Sequence, residues 1–594
     1  MYPLSPNLND LKTAYDNPSI ATDKIWEIWN RCSYQEQTSA RSLVGIAAPF
    51  AGRGDIKSDL YTYFGSHGNV FRFYEPYAEG VNLRIHGWGP ISMMSLGHGV
   101  FETTQNDVRE GMVYHFEVIK DGKTECKTDP YSREGVECRD DGFFIASRIP
   151  SSFSFSDGAW MDIRHLYKDT RPMRLLQCHL TTFNECKSWK ELGDSLISHC
   201  LSQGYSHIQL LGIILHPDKG SLGYHPLSYF APSIFLDGGL SGFKDFVNRL
   251  HGKGIGVIGD LASQTATDSF GLGHMCYETG DHVYGGYKMN ISDPYVRSFL
   301  ISAAKYWLSE CHLDGLRIDY VERFVSDPAG HQFLRDLTTV IHREVPSAIL
   351  IAEDGSTSDC MTHPVESGGF GFDMKWSMGR SLQLLDFMGH PPEERTGIQY
   401  LHLISTLKDS LVREKFLFAF SHDEANYASL YSRMFGEHEE KLNALRLVFM
   451  LQTLLPFSGS LNFQGNEFGA TKKWEGAYSM TPWSEAQEGS HSSLFTFFKN
   501  LQHSPPALVD KTVFRWVKDD DTSNSIIAFE RGNFLIVLNL GPHSFDTYNL
   551  SHARSSPAEQ IFASNLLSTS LSPIEGGVAL HRFEKQTAVI FQYE

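Results

Sequence analysis

The sequence predicts an α/β protein, a (β/α)8 TIM barrel with an N-terminal β-sandwich and a C-terminal all-β domain. The first observation is composition: of 594 residues, 41% are hydrophobic and 20% are charged, which allows large buried cores and excludes a disordered or fibrous chain. The second is that short apolar runs alternate with amphipathic helical segments from about residue 175 to about residue 503. The third is that strand-like alternation occupies both flanks.

Four domains follow from these changes of pattern, and their predicted bounds are 1–60, 61–160, 161–505 and 506–594. The first is a helical segment to which no role is assigned. The second contains VFRFYEP, VNLRIHGW and MVYHFEVIKDG, which are short alternating stretches separated by Gly, Asn and Pro, as in a β-sandwich. The last contains SIIAFERG and FLIVLNL, which predict a closing β-sandwich.

The barrel is predicted from its apolar runs, most of which end in a polar or charged residue. Seven runs are clear: LLQCHL, HIQLLG, IGVIGD, DGLRID, AILIAED, KFLFAFSHD and LNFQGN. Helical segments such as 293–308 and 332–343 lie between them. The pattern therefore predicts seven or eight β–α units.

A further apolar stretch at 447–455 is too short to span a bilayer and predicts a buried helix.

The charge and the cysteine content of the chain argue against several kinds of partner and binding site. The chain has 51 Lys and Arg against 70 Asp and Glu, a formal net charge of −19, so it should repel nucleic acid. The nine cysteines are scattered and form no CxxC motif, which argues against a zinc site and suits a reducing compartment. The N-terminus lacks the pattern of a signal peptide. We therefore expect a cytoplasmic protein with no membrane and no nucleic-acid partner.

Acidic residues end several predicted strands, where a TIM barrel carries its chemistry. These residues are Asp260, Asp319, Glu353 and, after His422, Asp423. Arg317 lies two residues before Asp319, and period-two alternation puts both on one side of their strand, which we expect to face the barrel interior. A lone Asp after a strand is usually a helix N-cap or a loop residue, and that alternative stays open for Asp260 and Asp423. Several carboxylates buried together are costly, which favours a functional role.

This constellation suits cleavage of an acetal. One carboxylate attacks the anomeric carbon, and a second, with its pKa raised by its neighbours, protonates the leaving oxygen. Arg317 can keep the nucleophile ionised through a charge-assisted hydrogen bond. No phosphate-binding GxxxxGK[ST] loop, GxSxG elbow or HExxH motif competes with this interpretation.

Several segments carry a resemblance to a known family. DGLRID, IAEDGS and FSHDE look like three signatures of the α-amylase superfamily, and SHDE and IAEDGS resemble the form found in its 1,4-α-glucan branching enzymes. GGFGFDMKWSMG, GSLGYHPLSYFAP and LNFQGNEFGATKKW resemble further segments of bacterial branching enzymes. The flanks resemble that family's glucan-binding-type β-sandwich, here at 61–160, and its closing β domain. The resemblance runs from about residue 61 to the end.

The resemblance implies roles for individual residues. It implies that Asp319 is the nucleophile, Glu353 the general acid/base and Asp423 the transition-state stabiliser. It also implies five substrate-binding residues: Tyr224 as an aromatic platform beneath the sugar, Asp260, Arg317, His422 and Glu424. The reaction so implied needs neither metal nor organic cofactor, and its partner is an α-glucan such as glycogen, amylose or amylopectin, bound by a monomer.

Two positions depart from the family pattern. Thr265 stands where the family has a His that hydrogen-bonds the reactive sugar, and a Thr hydroxyl is shorter than an imidazole. Gln264 beside it is the nearest residue that could reach in its place. Leu222 stands where the family often has Trp. The sequence therefore predicts a divergent member, with reduced turnover or altered subsite preference as open consequences.

Three functions remain open at this point. The leading one is a branching transferase, which cleaves an α-1,4 bond and transfers the chain to a 6-hydroxyl with retention of configuration. The second is a hydrolase or debranching enzyme of the same superfamily, which differs only in its acceptor. The third is a non-catalytic glucan-binding protein, favoured by Thr265 but opposed by Asp319, Glu353 and Asp423.

Overall fold

The computed structural model is centred on a closed barrel of eight parallel strands in sequential order. It describes residues 10, 13, 56–97, 99–138, 144–169, 171–263, 265–266, 275, 282–283, 286–356, 358–505, 508, 513–551, 553–565 and 568–593. The predicted N-terminal helical segment therefore lies almost wholly outside the described residues. The predicted fold class is confirmed.

The barrel strands are short and buried on both faces, so their sequences are continuous apolar runs. They are β1 (Met173–His179), β2 (His207–Leu211), β3 (Gly256–Leu261), β4 (Gly315–Ile318), β5 (Ile349–Ala352), β6 (Met374–Trp376), β7 (Phe416–Phe420) and β8 (Gly459–Phe463). Strand β8 pairs with β1 and closes the barrel. Strand β6 has only three residues and lies in the GFDMKW segment, so no apolar run marks it in the sequence.

Long helices follow the strands and cover the barrel. They are α1 (Trp189–Gln203), α2 (Gly239–His251), α3 (Pro294–Ser309), α4 (Pro328–Glu344), α5 (Met378–Gly389), α6 (Ile398–Val412), α7 (His438–Leu454) and α8 (Gly489–Gln502). Helices α3 and α4 begin after Asp293 and Asp327, whose carboxylates accept backbone N–H groups in the first turn. Helix α7 includes the buried stretch Leu447–Gln452, which confirms the predicted buried helix.

Two layers of apolar side chains hold the barrel. The interior is filled by Met173, Leu175, Ile258, Ile349, Ile351, Met374, Trp376, Leu417, Ala419 and Leu461. The outward faces of the strands pack against the helices in one large core. Because the interior is filled with side chains, the barrel is a rigid support, and its chemistry lies at the rim.

The region before the barrel forms two antiparallel sheets. The first contains Gly65–His67, Val70–Tyr74, Met94–Gly97 and Val100–Thr104. The second contains Gly80–Ile85, Ile91–Ser92, Val113–Lys120, Lys123–Lys127, Gly135–Cys138 and Phe144–Arg148. Phe71 and Phe73 of the first sheet share an apolar core with Leu83 and Phe116 of the second. This region contacts the barrel through Tyr131, whose hydroxyl lies 2.8 Å from that of Tyr295.

The region after the barrel is a second sandwich. Its five-stranded sheet contains Phe514–Asp521, Ile526–Arg531, Phe534–Asn539, Ala558–Ala563 and Thr587–Tyr593, and its three-stranded sheet contains Phe545–Ser551, Ser570–Ile574 and Gly577–Phe583. Alternate residues of the larger sheet face the sandwich core and the barrel. The Tyr400 hydroxyl of α6 donates to the Ile526 carbonyl, 2.6 Å away, and joins this domain to the barrel. In the described part of the chain, no helix has the length and hydropathy of a membrane span.

Candidate active site

Four charged side chains converge at the carboxyl end of the barrel: Asp260 of β3, Arg317 of β4, Asp319 directly after β4 and Glu353 directly after β5. The strands are parallel neighbours, so residues at their carboxyl ends meet at one rim. The convergence expected from the sequence is therefore present in the structure. The catalytic roles of these residues stay predictions.

The guanidinium of Arg317 is the centre of this cluster. Its Nη1 lies 2.7 Å from Asp260 Oδ1 and 2.7 Å from Asp319 Oδ1, and its Nη2 lies 2.7 Å from Glu353 Oε2. Only 1% of the Arg317 side chain is exposed. The ring of Trp376 stacks on the guanidinium at 4.6 Å. One cation therefore holds three carboxylates in fixed positions.

Three carboxylates facing one guanidinium leave an excess of negative charge. Burial raises the pKa of Asp319, Arg317 opposes this, and Glu353 and Asp260 raise the pKa again, so the net pKa is well above the usual range. Asp319 and Glu353 also share a side-chain hydrogen bond. Asp319 therefore keeps a proton to a higher pH than an exposed carboxyl would.

The backbone after β4 is shaped around Glu353. Tyr320 follows Asp319 with φ of 50°, in the left-handed region that costs energy for a residue with a side chain. In this conformation its N–H donates to Glu353 Oε2 at 2.6 Å. The strained residue thus fixes the Glu353 carboxyl beside Asp319.

Tyr224 and His422 form a second wall of the site. The Tyr224 hydroxyl donates to Asp260 Oδ2 at 3.1 Å, lies 3.2 Å from His422 Nε2 and accepts from Arg317 Nη1 at 3.0 Å. Gln177 of β1 accepts the His422 backbone N–H at 2.7 Å and so positions the start of the helix that carries His422. Tyr224 and His422 therefore join the cluster through hydrogen bonds.

Asp423 and Glu424 occupy the first turn of the helix His422–Tyr427 but differ in environment. The Asp423 side chain is 46% exposed, so it is open to a ligand. Glu424 is buried, and its carboxylate accepts both the backbone N–H and the hydroxyl of Ser421 at 2.7 Å. Glu424 therefore caps this helix, and its predicted contact with substrate remains untested.

Lys375 and Trp376 of β6 also border the site, although no acidic strand end marks them in the sequence. Lys375 is buried and lies 2.7 Å from Asp354 Oδ2, and its Nζ donates to the Ser358 carbonyl at 2.7 Å. It thereby ties down the loop that follows Glu353. Both residues lie in the GFDMKW segment that carried part of the resemblance, which was the available signal.

Thr265 and Leu222 are the two positions at which the sequence departs from the pattern that the resemblance implies. Thr265 pairs with Lys288 in a short antiparallel ladder, whereas Gln264 lies outside the described residues. Leu222 packs against a cluster that contains Ala425, Phe463 and Trp474.

Among the residues the structure describes, no three His, Cys, Asp or Glu side chains form a group that could hold a metal ion. The absence of a metal requirement remains a prediction.

Comparisons with known proteins give the family. A model of the α-amylase catalytic domain matches residues 283–524, and one of the α-amylase C-terminal all-β domain matches residues 516–572. The 1,4-alpha-glucan branching enzyme GlgB of Nitrosomonas europaea is 32% identical over 84% of this chain and 75% of that protein. The protein of the same name from Corynebacterium diphtheriae is 31% identical over 81% of this chain and 72% of that protein.

The chain belongs to the family of 1,4-α-glucan branching enzymes. The sequence resemblance to this family is therefore confirmed. Among solved structures, the pullulanase SAP of Group B Streptococcus has a TM-score of 0.70 at 15% identity and covers 91% of this chain and 88% of that one. At that identity the likeness shows a shared fold alone.

Proposed function

We propose that this member of the branching-enzyme family cleaves α-1,4 bonds of a glucan and re-forms the chain end as an α-1,6 branch by double displacement. The observation that carries the mechanism is the single guanidinium of Arg317 that holds Asp319 and Glu353 side by side. A retaining mechanism requires two neighbouring carboxyl groups, one as nucleophile and one as acid and base.

In the first step, an Asp319 carboxylate oxygen attacks C1 of the scissile glucosyl unit. The C1–O4 bond breaks, and Glu353 gives its proton to the departing O4. This step requires Asp319 to be ionised and Glu353 to carry the proton, and we propose that the guanidinium of Arg317 stabilises the ionised Asp319 in that state. Asp423, open to the ligand, would hold hydroxyls of the sugar as its ring flattens.

In the second step, a 6-hydroxyl of another glucan chain attacks C1. Glu353 takes its proton, and the bond from C1 to Asp319 breaks, which restores both carboxyl groups. Two inversions at C1 give net retention. Every atom and proton is supplied by the two sugars and the two carboxyl groups, so no cofactor enters this scheme.

The supporting residues would act through position and binding. We propose that Tyr224 and His422 contact the glucosyl unit whose C1 is attacked, since both residues border the carboxylate cluster. Asp260 would hold Arg317 and Tyr224 in place, and it contacts both. Glu424 would contact substrate only if its cap on the helix opened.

The substrate in this proposal is an α-glucan polymer, and the protein acts as a cytoplasmic monomer. All seven cysteines in the described part of the chain are free thiols, which supports a reducing compartment.

The experiment is incubation of the purified chain with amylose. Proton NMR counts α-1,6 against α-1,4 linkages, while a reducing-end assay runs on the same samples. We expect α-1,6 linkages to accumulate with little net rise in reducing ends. Reducing ends that rise with every cleavage, without new branches, would mean hydrolysis and would contradict the proposal. No change in either quantity would favour a non-catalytic glucan-binding protein.

A further inference from the structure

A buried ion pair lies directly behind the carboxyl end of β5. The Lys375 Nζ of β6 is 2.7 Å from Asp354 Oδ2, and 2% of the lysine side chain and none of the aspartate side chain are exposed. Asp354 follows Glu353, the proposed acid and base, in the chain. Because burying two charges is costly, such a pair adds little net stability, and its position beside Glu353 indicates another role.

The register of the barrel places this pair next to Glu353 but on the other face of the strands. Lys375 pairs with Ala352, the last residue of β5, and Trp376 follows Lys375 on β6. Trp376 packs in the barrel interior, and side chains alternate along a strand, so the Lys375 side chain lies on the outer face. Glu353 joins the carboxylate cluster, whereas Asp354 turns towards Lys375. The pair therefore lies behind Glu353, away from the reacting sugar.

Lys375 ties the segment after Glu353 to β6. The ladder between β5 and β6 ends with Lys375. Beyond it, the Lys375 Nζ donates to the Ser358 carbonyl at 2.7 Å. Asp354 closes the turn between them, since its carboxylate accepts the Ser356 N–H at 3.1 Å and the Ser356 hydroxyl at 2.9 Å. The lysine side chain thus continues the connection between the two strands past their last paired residues.

The segment after β4 holds Glu353 from the opposite side. The Val321 N–H donates to the Glu353 carbonyl at 2.8 Å, and the Tyr320 N–H donates to Glu353 Oε2 at 2.6 Å. The Gly355 N–H donates to Glu322 Oε2 at 3.0 Å. Glu353 is therefore clamped between the segment after β4 and the ion pair, and loss of the ion pair would release one side of the clamp.

The pair also balances charge beside Glu353. The other charged groups around Glu353 on β3, β4 and the segment after β4 are Asp260, Arg317, Asp319, Glu322 and Arg323. Burial raises the pKa of Glu322, and the Gly355 N–H lowers it. Asp354 and Glu353 raise the pKa of Glu322 again, and the net pKa is above the usual value. The charge of Asp354 therefore adds to the excess of acids at this rim, and Lys375 neutralises it.

The charged groups on the outer side of the pair are matched among themselves. A cavity there is bordered by Asp359, Arg380, Asp409 and Arg413. Arg380 pairs with Asp409 at 3.3 Å, and Arg413 pairs with both aspartates. These two cations and two anions carry no net charge. Removal of one partner of the buried pair therefore changes the net charge behind Glu353 by one unit.

We infer that Lys375 and Asp354 form a positioning pair for the acid and base Glu353. The lysine fixes the segment that carries the Glu353 carboxyl, and its charge cancels that of Asp354. Neither residue contacts the reacting atoms, so both act through Glu353. This inference rests on the proposed function, since it assigns the pair to the acid and base of that reaction.

The experiment compares the pH–rate profile of the full chain with those of Lys375→Met, Asp354→Asn and the double variant that carries both changes. Proton NMR counts the loss of α-1,4 linkages from amylose, so cleavage is measured whichever acceptor takes the chain. The alkaline limb of the profile marks the loss of the proton that the general acid must donate. A merely structural role for the pair would lower the amount of folded protein but would not move this limb.

The two single variants should move the alkaline limb in opposite directions. Lys375→Met leaves an unmatched negative charge behind the acid and favours its protonated form, so the limb should rise by about half a pH unit. Asp354→Asn leaves an unmatched positive charge, and the limb should fall by a similar amount. The double variant removes both charges and should return the limb to the position of the parent. An alkaline limb at the same pH in all four proteins would overturn the inference.

The kinetic constants provide a second readout. Each single variant should lose about tenfold in kcat, because the Glu353 carboxyl is less well placed. The KM for amylose should stay within about twofold of the parent value, since neither residue contacts the substrate. A raised KM with an unchanged kcat would indicate a binding role and would contradict the inference.

The matched control is another Lys–Asp pair, at the amino end of β6. The Lys168 Nζ lies 3.1 Å from Asp373 Oδ1 and donates to the Ala348 carbonyl at 3.0 Å, and Asp373 directly precedes β6. Lys168→Met should leave the alkaline limb and the kcat per folded molecule unchanged. The same shift in this control would mean a general effect of charge removal and would also overturn the inference.

Thermal melts check that each variant is folded, and Asp354→Asn keeps the test valid if Lys375→Met is unstable. The products separate this inference from the proposed function. Cleavage without α-1,6 linkages would contradict the proposed function, whereas the alkaline limbs would still decide the role of the pair. Unmoved limbs in a protein that makes branches would overturn the inference alone. A parent that cleaves no linkage would overturn both, because Glu353 would then donate no proton.

Discussion

Two clusters of buried charge lie at the opposite ends of β4, and they are built differently. Asp314 precedes the strand, and Asp319 follows it. At the Asp314 end, the carboxylates of Asp314 and Asp157 face His251, His312 and Arg164. At the Asp319 end, three carboxylates face one guanidinium. The first end has cationic partners for its acids, whereas the second has an excess of acids.

The pKa values follow this difference. Burial raises the pKa of Asp314, but His251, His207 and Arg164 outweigh it and lower the pKa to about 2. Burial also raises the pKa of Asp319, and there the neighbouring Glu353 and Asp260 add to the effect. Asp314 also accepts from the Trp160 indole at 2.8 Å and from the Val257 N–H at 2.7 Å. A buried carboxylate with matched cationic partners is typical of structure, and a group of buried carboxylates with excess negative charge is typical of catalysis.

The largest expected effect is on turnover. Asp319→Asn and Glu353→Gln are nearly isosteric and remove the nucleophile or the transferable proton. Loss of acid–base catalysis alone costs about 10²–10⁴ in rate, and we expect losses at least that large in a branching assay. The melting temperature at neutral pH should not fall, because each change relieves an excess of negative charge. Activity within a few-fold of the parent would show that the assignment of the site is wrong.

The same change at the other end of β4 should affect stability. Asp314→Asn removes a buried counter-charge from His251 and Arg164 and leaves His251 with Asp157 alone. Breaking such a pair costs about 3–5 kcal/mol of unfolding free energy. Urea unfolding followed by circular dichroism measures this loss. The branching rate per folded molecule should remain close to that of the parent. A stable Asp314→Asn protein with lost activity would reverse the contrast between the two ends.

The pH dependence of stability should have opposite signs at the two ends. The folded pKa of Asp314, about 2, is below its ordinary value of 3.8, so its contribution is present above pH 4 and is lost as the pH falls towards 2. That contribution is roughly 2 kcal/mol. The folded pKa of Asp319 is raised, so its contribution is present at acid pH and is lost as the pH rises.

Melting curves of both variants across pH test these signs. The stability of Asp319→Asn relative to the parent should increase from pH 4 to pH 8. The deficit of Asp314→Asn should be largest near pH 5 and shrink below pH 4, as Asp314 takes up a proton. It should also shrink towards pH 8, because Asp314 raises the pKa of His251 and that stabilisation is lost when His251 is neutral. Parallel curves for the two variants below pH 5 would contradict the contrast.

The smallest expected effect concerns Thr265. The Asp314 end uses two histidines, His251 and His312. The site has His422, and Thr265 stands where the resemblance to the family implies a second histidine. Thr265→His should raise the rate constant for branching several-fold, with a smaller effect on glucan binding, because an added donor stabilises the transition state more than the ground state. A fall in activity would mean that the surroundings have repacked around threonine.

The sequence predicted the part of the site that depends on parallel strands. Asp260, Arg317, Asp319 and Glu353 end apolar runs, and the geometry of a barrel brings such ends together. Lys375 and Trp376 could not be found in this way, because β6 is three residues long and has no apolar run.

Contacts between residues that are distant in the chain could not be predicted from the sequence either. The Asp157–His251 and Asp314–His251 contacts join residues 94 and 63 positions apart, with no local pattern to signal them. The capping role of Glu424 depends on the side-chain orientation at Ser421, which the SHDE letters do not specify.

The most direct measurement captures the covalent intermediate. Glu353→Gln is incubated with α-maltotriosyl fluoride, which needs no acid to lose its leaving group, while the missing base slows release of the sugar. The protein is then digested and analysed by mass spectrometry. We predict a maltotriosyl group on Asp319 of the Glu353→Gln protein. We predict no maltotriosyl group on the double variant that carries both Glu353→Gln and Asp319→Asn. A sugar on Asp260 or Asp423, or no adduct from a protein whose parent makes branches, would contradict the central claim that Asp319 is the nucleophile.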